Sequence, residues 1–490
     1  MKLYEYMAYE LIEKIKNNEI TIENVIQRVY ERIEETDHKI HSFVYLSKEK
    51  AITKAQKLDD NLKNGRNIGK LYGLPIAVKD LICIKDSPTT CGSKILQNYY
   101  PPYNATIIEN LIEREDAICV GRTNMDEFAM GSSTENSSYG PTLNPWNLTH
   151  VPGGSSGGSG ACVASGQTPV SLGSDTGGSI RCPASYCGVV GLKPTYGRVS
   201  RYGLVSYANS LDQIGPLSRC VYDTALLLEI IAGVDPLDST TVDVKVDNYT
   251  ELLEQPIDNM TIGVPKEFLG DGIEKSVKDK VNSAIEKICS LGVKKIEISF
   301  PHLEYAIPTY YLIAMSEASS NLARYDGLRY GLMSDNTKGD VYDVYSQTRN
   351  EKFGAEVRRR VILGSYALSA GYYDMFYMKA LKVRSVIKKD FQKAFEKCDV
   401  IVSPTMPTPA FKIGELLDDP LQMYLMDVLT CPVNLAGLPA LSIPCGFDNK
   451  ELPIGFQIIG NYFDEKSILN VGYLLERDLN IYRKIAPLNN

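Results

Sequence analysis

The spacing of apolar residues near the start of the chain is that of an amphipathic helix. Thr21 precedes a segment whose apolar residues share one helical face, namely Ile22, Val25, Ile26, Val29 and Ile33. A threonine in this place can accept a hydrogen bond from a free N–H of the first turn, so Thr21 is the predicted cap. Residues 1–60 as a whole are predicted to be helical.

Farther along, short apolar runs alternate with helical patterns. Residues 73–80 predict a buried strand that ends in two charged residues, Lys79 and Asp80. Further strands are predicted at 117–120, 261–264, 399–403, 440–445 and 453–459, and helices at 104–116, 275–290, 313–325 and 366–397. Strands that alternate with helices predict an α/β fold with helices on both faces of a sheet.

The chain contains no internal repeat and no clean linker. We therefore expect one domain over residues 1–490, with a helical segment of about residues 1–65 packed on it. The pattern leaves open that this segment also contacts a partner subunit.

Composition limits the classes of function. With 490 residues, 44% of them hydrophobic and 23% charged, the chain is typical of a globular protein. Its net charge of −8 excludes a general electrostatic attraction to nucleic acid, so any nucleic acid that takes part would be held by another chain. The 11 cysteines without a repeated CxxC spacing, and the absence of a signal peptide or a long apolar run, predict a cytoplasmic protein with reduced thiols and no membrane anchor.

A glycine- and serine-rich segment at 153–160 admits several interpretations. A flexible linker fits the composition, but residues 161–165 that follow resemble a packed helix of small residues. A phosphate-binding loop fits less well, because the spacing of the known phosphate motifs is missing. A hydrolase nucleophile elbow fits Gly-x-Ser-x-Gly at 154–158, but it needs a later histidine, and only His302 follows.

A second glycine–serine turn at 173–181 supports a further interpretation. Glycines before Ser179 allow successive N–H groups to point into one concavity, as in an oxyanion hole. Histidine is scarce, so the base for a serine nucleophile would be a lysine or a carboxylate. Lys79 ends an apolar strand, where burial would lower its pKa, although in isolation it could equally be a surface lysine.

These residues closely resemble the amidase signature family. The resemblance rests on Lys79, on the Gly-Gly-Ser-Ser-Gly-Gly frame at 153–158 and on Gly-Gly-Ser-Ile-Arg at 177–181. It implies a large mixed central sheet covered by helices on both faces. It also implies a triad in which Ser179 is the nucleophile, Ser155, held after a cis peptide bond, is the bridging serine, and Lys79 is the base. The oxyanion would be held by four backbone N–H groups, those of Thr176, Gly177, Gly178 and Ser179.

Within that family, the chain resembles the glutamine-hydrolysing subunits of tRNA-dependent amidotransferases. The resemblance rests on residues 121–136, 140–146, 317–327, 367–374 and 433–439. It implies hydrolysis of glutamine to glutamate and ammonia, without a cofactor in this chain. The ammonia would pass to a B subunit that binds the misacylated tRNA and uses ATP and Mg²⁺ to convert Glu-tRNA(Gln) to Gln-tRNA(Gln), and a small C subunit would complete a heterotrimer.

The sequence leaves two functional alternatives open. One is that the same assembly also converts Asp-tRNA(Asn) to Asn-tRNA(Asn). The other is that the chain is a stand-alone amidase for a small carboxamide.

The family resemblance also implies a glutamine pocket. Arg359 falls where the family binds the α-carboxylate, Asp427 where it binds the α-ammonium, and Tyr310 would line the same pocket. The alternative for Arg359 is that Arg358, Arg359 and Arg360 form a solvated charge run.

Two acidic positions have simpler interpretations than direct catalysis. Asp175 is predicted to bind loop N–H groups, with Arg181 as its ion-pair partner. The acidic residues at 126–127 are too few for a metal site, and no metal is predicted.

Overall fold

The computed structural model describes residues 2–335 and 338–489. Its α-helices are α1 (Ala8–Lys16), α2 (Ile22–Ile40), α3 (Lys48–Lys63), α4 (Thr106–Ile108), α5 (Gly157–Ala164), α6 (Arg181–Cys187), α7 (Val221–Ile231), α8 (Lys275–Ser290), α9 (Ala306–Leu322), α10 (Val341–Lys352), α11 (Ala355–Ala367), α12 (Lys379–Phe395), α13 (Pro420–Leu425), α14 (Cys431–Ala436) and α15 (Glu465–Leu479). Two further turns are π-helical, Glu109–Arg114 and Asp374–Met378.

The described strands form one mixed sheet. They are β1 (Phe43–Leu46), β2 (Pro75–Lys79), β3 (Ile118–Thr123), β4 (Val170–Asp175), β5 (Val190–Lys193), β6 (Gln213–Ser218), β7 (Thr261–Pro265), β8 (Lys294–Ile298), β9 (Val400–Pro404), β10 (Ala440–Phe447) and β11 (Pro453–Gly460). Their order across the sheet is β1-β3-β2-β4-β6-β5-β10-β11-β9-β7-β8. Strand β2 lies between two parallel neighbours, β3 and β4, whereas β4 to β9 pair antiparallel through the centre.

Helices cover both faces of the sheet, as the two sides of β11 demonstrate. A Cβ at Gly455 would meet Ser185 of α6, whereas Ile458 lies against Gly472 of α15. Positions three apart in a strand point to opposite faces, so α6 and α15 cover opposite sides. The predicted fold class, a large mixed sheet between helices, is confirmed.

The N-terminal helices contact the sheet at its β3 side. Thr21 Oγ1 accepts the Asn24 N–H at 3.1 Å, which confirms the predicted cap of α2. Tyr30 of α2 donates its hydroxyl to Val120 O at 2.9 Å. Strand β1, which the helical prediction for residues 1–60 missed, lies between α2 and α3 in the chain and forms the edge of the sheet beside β3.

Most predicted elements are present, with one clear error. The predicted strands correspond to β2, β3, β7, β9, β10 and β11, and the helix at 275–290 is α8. The helix predicted at 366–397 is wrong in its first part, because α11 ends at Ala367 and α12 begins at Lys379. Gly371 between them has a φ of 86°, a left-handed conformation that a helix cannot contain.

The glycine- and serine-rich region is part of the core. Residues 153–160 are all buried, and α5 begins at Gly157. The linker interpretation is therefore wrong. Small residues occur here because helix and strands pack closely around them.

In the described part of the chain, no helix combines the length and the apolar character needed to cross a membrane.

Candidate active site

The amine of Lys79 is surrounded by three serine hydroxyls. Lys79 is the last residue of β2 and is fully buried. Its Nζ lies 2.7 Å from Ser155 Oγ, 2.8 Å from Ser156 Oγ and 3.0 Å from Ser174 Oγ. The strand end thus delivers the lysine to both glycine–serine turns at once.

The hydroxyl of Ser156 has a fixed role in this cluster. It donates to Ser174 O at 3.1 Å, so towards Lys79 it can only accept. A neutral lysine amine has two N–H donors and one lone pair. When the neutral amine donates its N–H groups to Ser156 and Ser174, its lone pair can accept the proton of Ser155, which is the arrangement a general base needs.

Burial makes the neutral amine available. Removal from water lowers the pKa of Lys79 to about 7, and the nearby carboxylates of Asp126, Asp175 and Asp212 only partly oppose this. A base with a pKa near neutrality is both substantially deprotonated and able to hold a proton at physiological pH.

Ser155 precedes α5 and is fixed through its main chain. The peptide bond from Gly154 to Ser155 is cis, in agreement with the family resemblance. The carbonyl oxygen of Ser155 accepts the Asp126 N–H at 3.2 Å. The hydrogen bond to Asp126 helps to hold the Ser155 hydroxyl against Lys79, and the site is closed to solvent.

Ser179 lies at the start of α6 and is the more accessible serine, with 8% of its surface exposed. Its carbonyl oxygen accepts the Ser156 N–H at 3.2 Å, which joins the two glycine–serine turns. The structure therefore brings Lys79 and Ser155 into direct contact and places the Ser179 main chain beside them. Among the described residues, no hydrogen bond of the Ser179 hydroxyl to Ser155 is formed.

The turn before Ser179 is held by a buried ion pair. Arg181 binds both oxygens of Asp175, with Nε 3.1 Å from Oδ2 and Nη2 3.0 Å from Oδ1. Asp175 also accepts the N–H groups of Gly178 at 2.9 Å and Ile180 at 3.1 Å. Burial would raise the pKa of Asp175, but Arg181 holds it at about 2, so the carboxylate stays charged. The predicted loop-ordering role of Asp175 and Arg181 is confirmed.

The N–H groups predicted to bind the oxyanion differ in whether they already have an acceptor. The Gly178 N–H is already directed at Asp175 Oδ1. Within the described residues, the N–H groups of Thr176, Gly177 and Ser179 donate to no protein acceptor. These three remain available to an oxyanion, and Gly178 contributes by shaping the turn.

Tyr310 and Asp427 both lie next to the catalytic turns. A Cβ at Gly177 would lie 2.4 Å from the Tyr310 hydroxyl, so only glycine allows the ring to pack against the predicted oxyanion loop. Asp427 Oδ1 accepts from Ser132 at 3.0 Å and Oδ2 from Tyr311 at 2.7 Å. Burial raises the pKa of Asp427 to about 6 despite these two donors. A substrate ammonium beside it would restore the charged form.

The arginines of α11 differ in their surroundings. Arg359 is 42% exposed and pairs with Glu356. Arg360 is buried, binds Glu356 Oε1 at 2.7 Å and donates to the Tyr207 hydroxyl at 2.8 Å. Arg360 is therefore not part of a solvated run, whereas the guanidinium of Arg359 remains accessible to a carboxylate.

An aromatic pair connects this helix with Asp427. Tyr424 donates to Glu356 Oε1 at 2.9 Å, and its ring stacks on Tyr311 with centroids 4.1 Å apart. Because Tyr311 donates to Asp427, the predicted carboxylate-binding and ammonium-binding residues belong to one connected set of contacts. The binding of glutamine by Arg359, Asp427 and Tyr310 stays a prediction.

The sequence analysis missed Ser156 and Ser174 as partners of Lys79. A signal was present, because each glycine–serine turn carries a second serine: Ser156 follows Ser155, and Ser174 lies five residues before Ser179. It also missed Tyr311, which was hidden behind its neighbour Tyr310. His302, the histidine of the elbow interpretation, instead lies beside Asp390 of α12, with Nδ1 3.0 Å from Oδ2. In the described part of the chain, no group of three or more His, Cys, Asp or Glu side chains could hold a metal ion.

Comparisons with known proteins find similarity along most of the chain. The sequence model of the family described as Amidase matches residues 24–469. Over 487 residues, 99% of this chain and 100% of the relative, the chain is 54% identical to the A subunit of the glutamyl-tRNA(Gln) amidotransferase of Desulforamulus reducens.

Solved structures are similar over the same length. The crystal structure of the A subunit of the glutamyl-tRNA(Gln) amidotransferase from Thermotoga maritima is 40% identical, with a TM-score of 0.81 over 98% of this chain and 96% of that one. The peptide amidase of Stenotrophomonas maltophilia is 26% identical, with a TM-score of 0.82 over 99% of both chains.

Proposed function

The chain belongs to the amidase family, and on that premise we propose that it is the glutamine-hydrolysing subunit of a tRNA-dependent amidotransferase. The observation that carries the chemistry is the contact of 2.7 Å between Lys79 Nζ and Ser155 Oγ in a buried site without histidine. The choice of substrate rests on the 54% identity, over the full length, to one subunit of a glutamyl-tRNA(Gln) amidotransferase.

In the proposed reaction, Ser179 Oγ attacks the side-chain amide carbon of glutamine. Its proton passes to Ser155, and the proton of Ser155 passes to Lys79 Nζ. The carbonyl oxygen becomes an oxyanion that the N–H groups of Thr176, Gly177 and Ser179 stabilise. Lys79 then returns a proton through Ser155 to the leaving nitrogen, which departs as ammonia.

Water completes the cycle by the reverse path. It attacks the ester between Ser179 and the glutamyl group and gives a proton through Ser155 to Lys79. The same relay returns a proton to Ser179 Oγ as the ester bond breaks and glutamate leaves. The sum is glutamine and water converted to glutamate and ammonia. Splitting the hydrolysis in this way replaces one difficult displacement by two easier ones.

The partners follow from this division of labour. The ammonia is consumed by a B subunit that holds the misacylated tRNA and uses ATP and Mg²⁺, and a small C subunit completes a heterotrimer. This chain needs neither cofactor, because its three catalytic side chains suffice for amide hydrolysis. The choice between Glu-tRNA(Gln) and Asp-tRNA(Asn) belongs to the partner that binds the tRNA.

A stand-alone amidase is the second candidate, favoured by the similarity in fold to a peptide amidase. The experiment that separates the two measures tRNA amidation by the assembled complex carrying Ser179→Ala. Glutamine should no longer support amidation, whereas added ammonium salt should restore it, because the amidating site lies on another chain. No rescue by ammonium in an intact complex would contradict the ammonia-donor role. Hydrolysis of a small carboxamide, faster than that of glutamine and independent of any partner, would favour the stand-alone enzyme.

A further inference from the structure

Asp126 is packed against the turn that carries Ser155. Its N–H donates to Ser155 O at 3.2 Å, and its side chain is fully buried. A Cβ at Gly154 would lie 2.2 Å from Asp126 Oδ2, so the carboxylate touches the residue immediately before Ser155. Asp126 therefore contacts this turn through both its main chain and its side chain.

The carboxylate of Asp126 is fixed but not neutralised. Oδ2 accepts the Thr134 N–H at 2.9 Å and Oδ1 accepts the Asn136 N–H at 3.1 Å. Among the described residues, it forms no ion pair with a lysine, arginine or histidine. Two neutral donors hold its position, and although burial raises the pKa of Asp126 to about 6, the carboxylate is charged at pH 7 and acts on its surroundings there.

Within the described residues, neither of the other two carboxylates that act on Lys79, those of Asp175 and Asp212, is hydrogen-bonded to the Ser155 turn. Asp175 is bound by Arg181, and Asp212 accepts the Thr176 hydroxyl at 2.6 Å and N–H groups of the preceding loop. The buried thiol of Cys91 also lies near Lys79, but burial raises its pKa, so it is uncharged near pH 7. The negative charge of Asp126 favours the protonated form of Lys79.

We infer that Asp126 is a positioning residue for the reaction, which holds the Ser155 turn in place and provides the negative charge against which Lys79 gains and loses its proton. The inference rests on the proposed function only in that Lys79 acts as the base. It assigns to Asp126 two effects that can be measured separately, the geometry of the turn and the charge near the amine.

Glu127 supplies a matched comparison one residue away. It is also buried, but its Oε2 accepts the Gly354 N–H at 2.7 Å, before α11, and its other oxygen accepts from Ser93. Glu127 does not contact the Ser155 turn. Removing its charge therefore perturbs the same loop without removing the charge next to the triad.

The test compares Asp126→Asn with Glu127→Gln in the full chain, using hydrolysis of a small uncharged carboxamide. In Asp126→Asn, the loss of a negative charge lowers the pKa of Lys79. The acid limb, which is the rise of kcat/KM on the acidic side of its pH profile, therefore moves to lower pH by roughly one unit. The value of kcat falls about ten- to a hundredfold through the displaced Ser155, with little change in KM. Glu127→Gln leaves the acid limb in place. An unmoved limb in folded Asp126→Asn, or an equal shift in both variants, overturns the inference.

Asp126→Glu keeps the test decisive if Asp126→Asn folds poorly. It retains the charge but moves it, so kcat falls while the acid limb stays within a few tenths of a unit of the parent. A shift as large as one unit in this variant contradicts the assigned role. If the parent hydrolyses the small carboxamide but not glutamine, the proposed function fails while the acid limb still decides the role of Asp126.

Discussion

Lys79 Nζ lies 2.7 Å from Ser155 Oγ, and neither side chain is reached by solvent. A proton exchanged between them needs no water molecule, because donor and acceptor are already at hydrogen-bond distance. The hydroxyl replaces part of the hydrogen bonding that a buried amine loses with its water, whereas burial itself favours the neutral form of Lys79.

Replacement of Ser179 by alanine should abolish the release of ammonia from glutamine, because the proposed nucleophile is lost and the smaller side chain fits the same space. We expect less than about a hundredth of the parent activity, measured as ammonia release by the assembled complex, with an unchanged circular dichroism spectrum. Higher residual activity would transfer the nucleophile to another serine, and Ser156 would be examined next.

His302→Ala is the control for this experiment. Its ring lies beside Asp390 and is not part of the serine cluster, so activity should stay within a few-fold of the parent. A loss comparable to that of Ser179→Ala in a folded protein would revive the hydrolase-elbow interpretation.

The activity should follow the titration of Lys79. Burial lowers its pKa from 10.5 to about 7, and only the neutral amine can accept a proton. The value of kcat/KM should therefore rise with pH through about 7 and reach a plateau above it.

Lys79→Ala should lose nearly as much activity as Ser179→Ala, and the double variant should be little worse than either, because both act in one proton relay. Losses that multiply would make Lys79 a binding residue.

Arg359→Ala should impair glutamine hydrolysis while sparing the chemistry of the serine. We expect kcat/KM for glutamine to fall at least about thirtyfold. This is the lower end of the range for the loss of a buried charge contact, and we use it because Arg359 is 42% exposed before substrate binds. Acylation of Ser179 by a small uncharged reagent should stay close to the parent rate.

Arg358→Ala is the matched control on the same helix. Its guanidinium donates to Asn350 O at 3.1 Å, so its removal should leave both rates within a few-fold. Equal loss of both reactions in Arg359→Ala would mean that Arg359 supports the fold or the triad rather than the recognition of glutamine.

Arg181→Met should destabilise the folded protein. The substitution leaves the Asp175 carboxylate buried without its cation and also removes contacts to Gln457 at 2.7 Å and to Asn434. Loss of one partner of a buried pair lowers the free energy of unfolding by about 3–5 kcal/mol. Urea unfolding at pH 7 measures this free energy. Lys275→Met is the control: it removes an exposed ion pair with Asp279 and should change the free energy of unfolding by less than about 1 kcal/mol. A similar small change for Arg181→Met would contradict the importance of the ion pair.

The same ion pair sets a pH dependence of stability. The folded pKa of Asp175 is lowered to about 2, so its contribution is complete above the ordinary carboxyl pKa and is lost as the pH falls towards 2.

Much of the fold could be predicted from apolar periodicity, and the misses have physical reasons. Strands such as β9 and β11 are largely apolar, with Ser403 and Gln457 as exceptions, which is typical of strands buried on both faces. Strand β4, by contrast, is Val-Ser-Leu-Gly-Ser-Asp, whose small polar residues are buried because the catalytic turns pack on them. Hydropathy alone assigns such a segment to a loop.

The residues of the site likewise divide into those that could be predicted from the sequence and those that could not. The two turns and Lys79 could be found because glycine-rich frames and an apolar strand ending in lysine are visible in the sequence. The different surroundings of Arg359 and Arg360 could not, because neighbours on a helix differ by 100° in direction and only the packing of α11 on α9 decides which one is buried. The occupation of the Gly178 N–H by Asp175 likewise depends on a side-chain conformation that no spacing reveals.

The order of the strands in the sheet has a consequence for the chain while it is being synthesised. Strand β5 pairs with β10, whose residues lie about 250 positions later in the chain, and β10 and β11 then join it to β9. A nascent chain that has already released Lys79, Ser155 and Ser179 still lacks Asn434 and Gln457, which complete the setting of Arg181. Products of interrupted translation would therefore carry all three proposed catalytic side chains without a formed site, and the proposed hydrolysis of glutamine would begin only after Asn434 and Gln457 have been made.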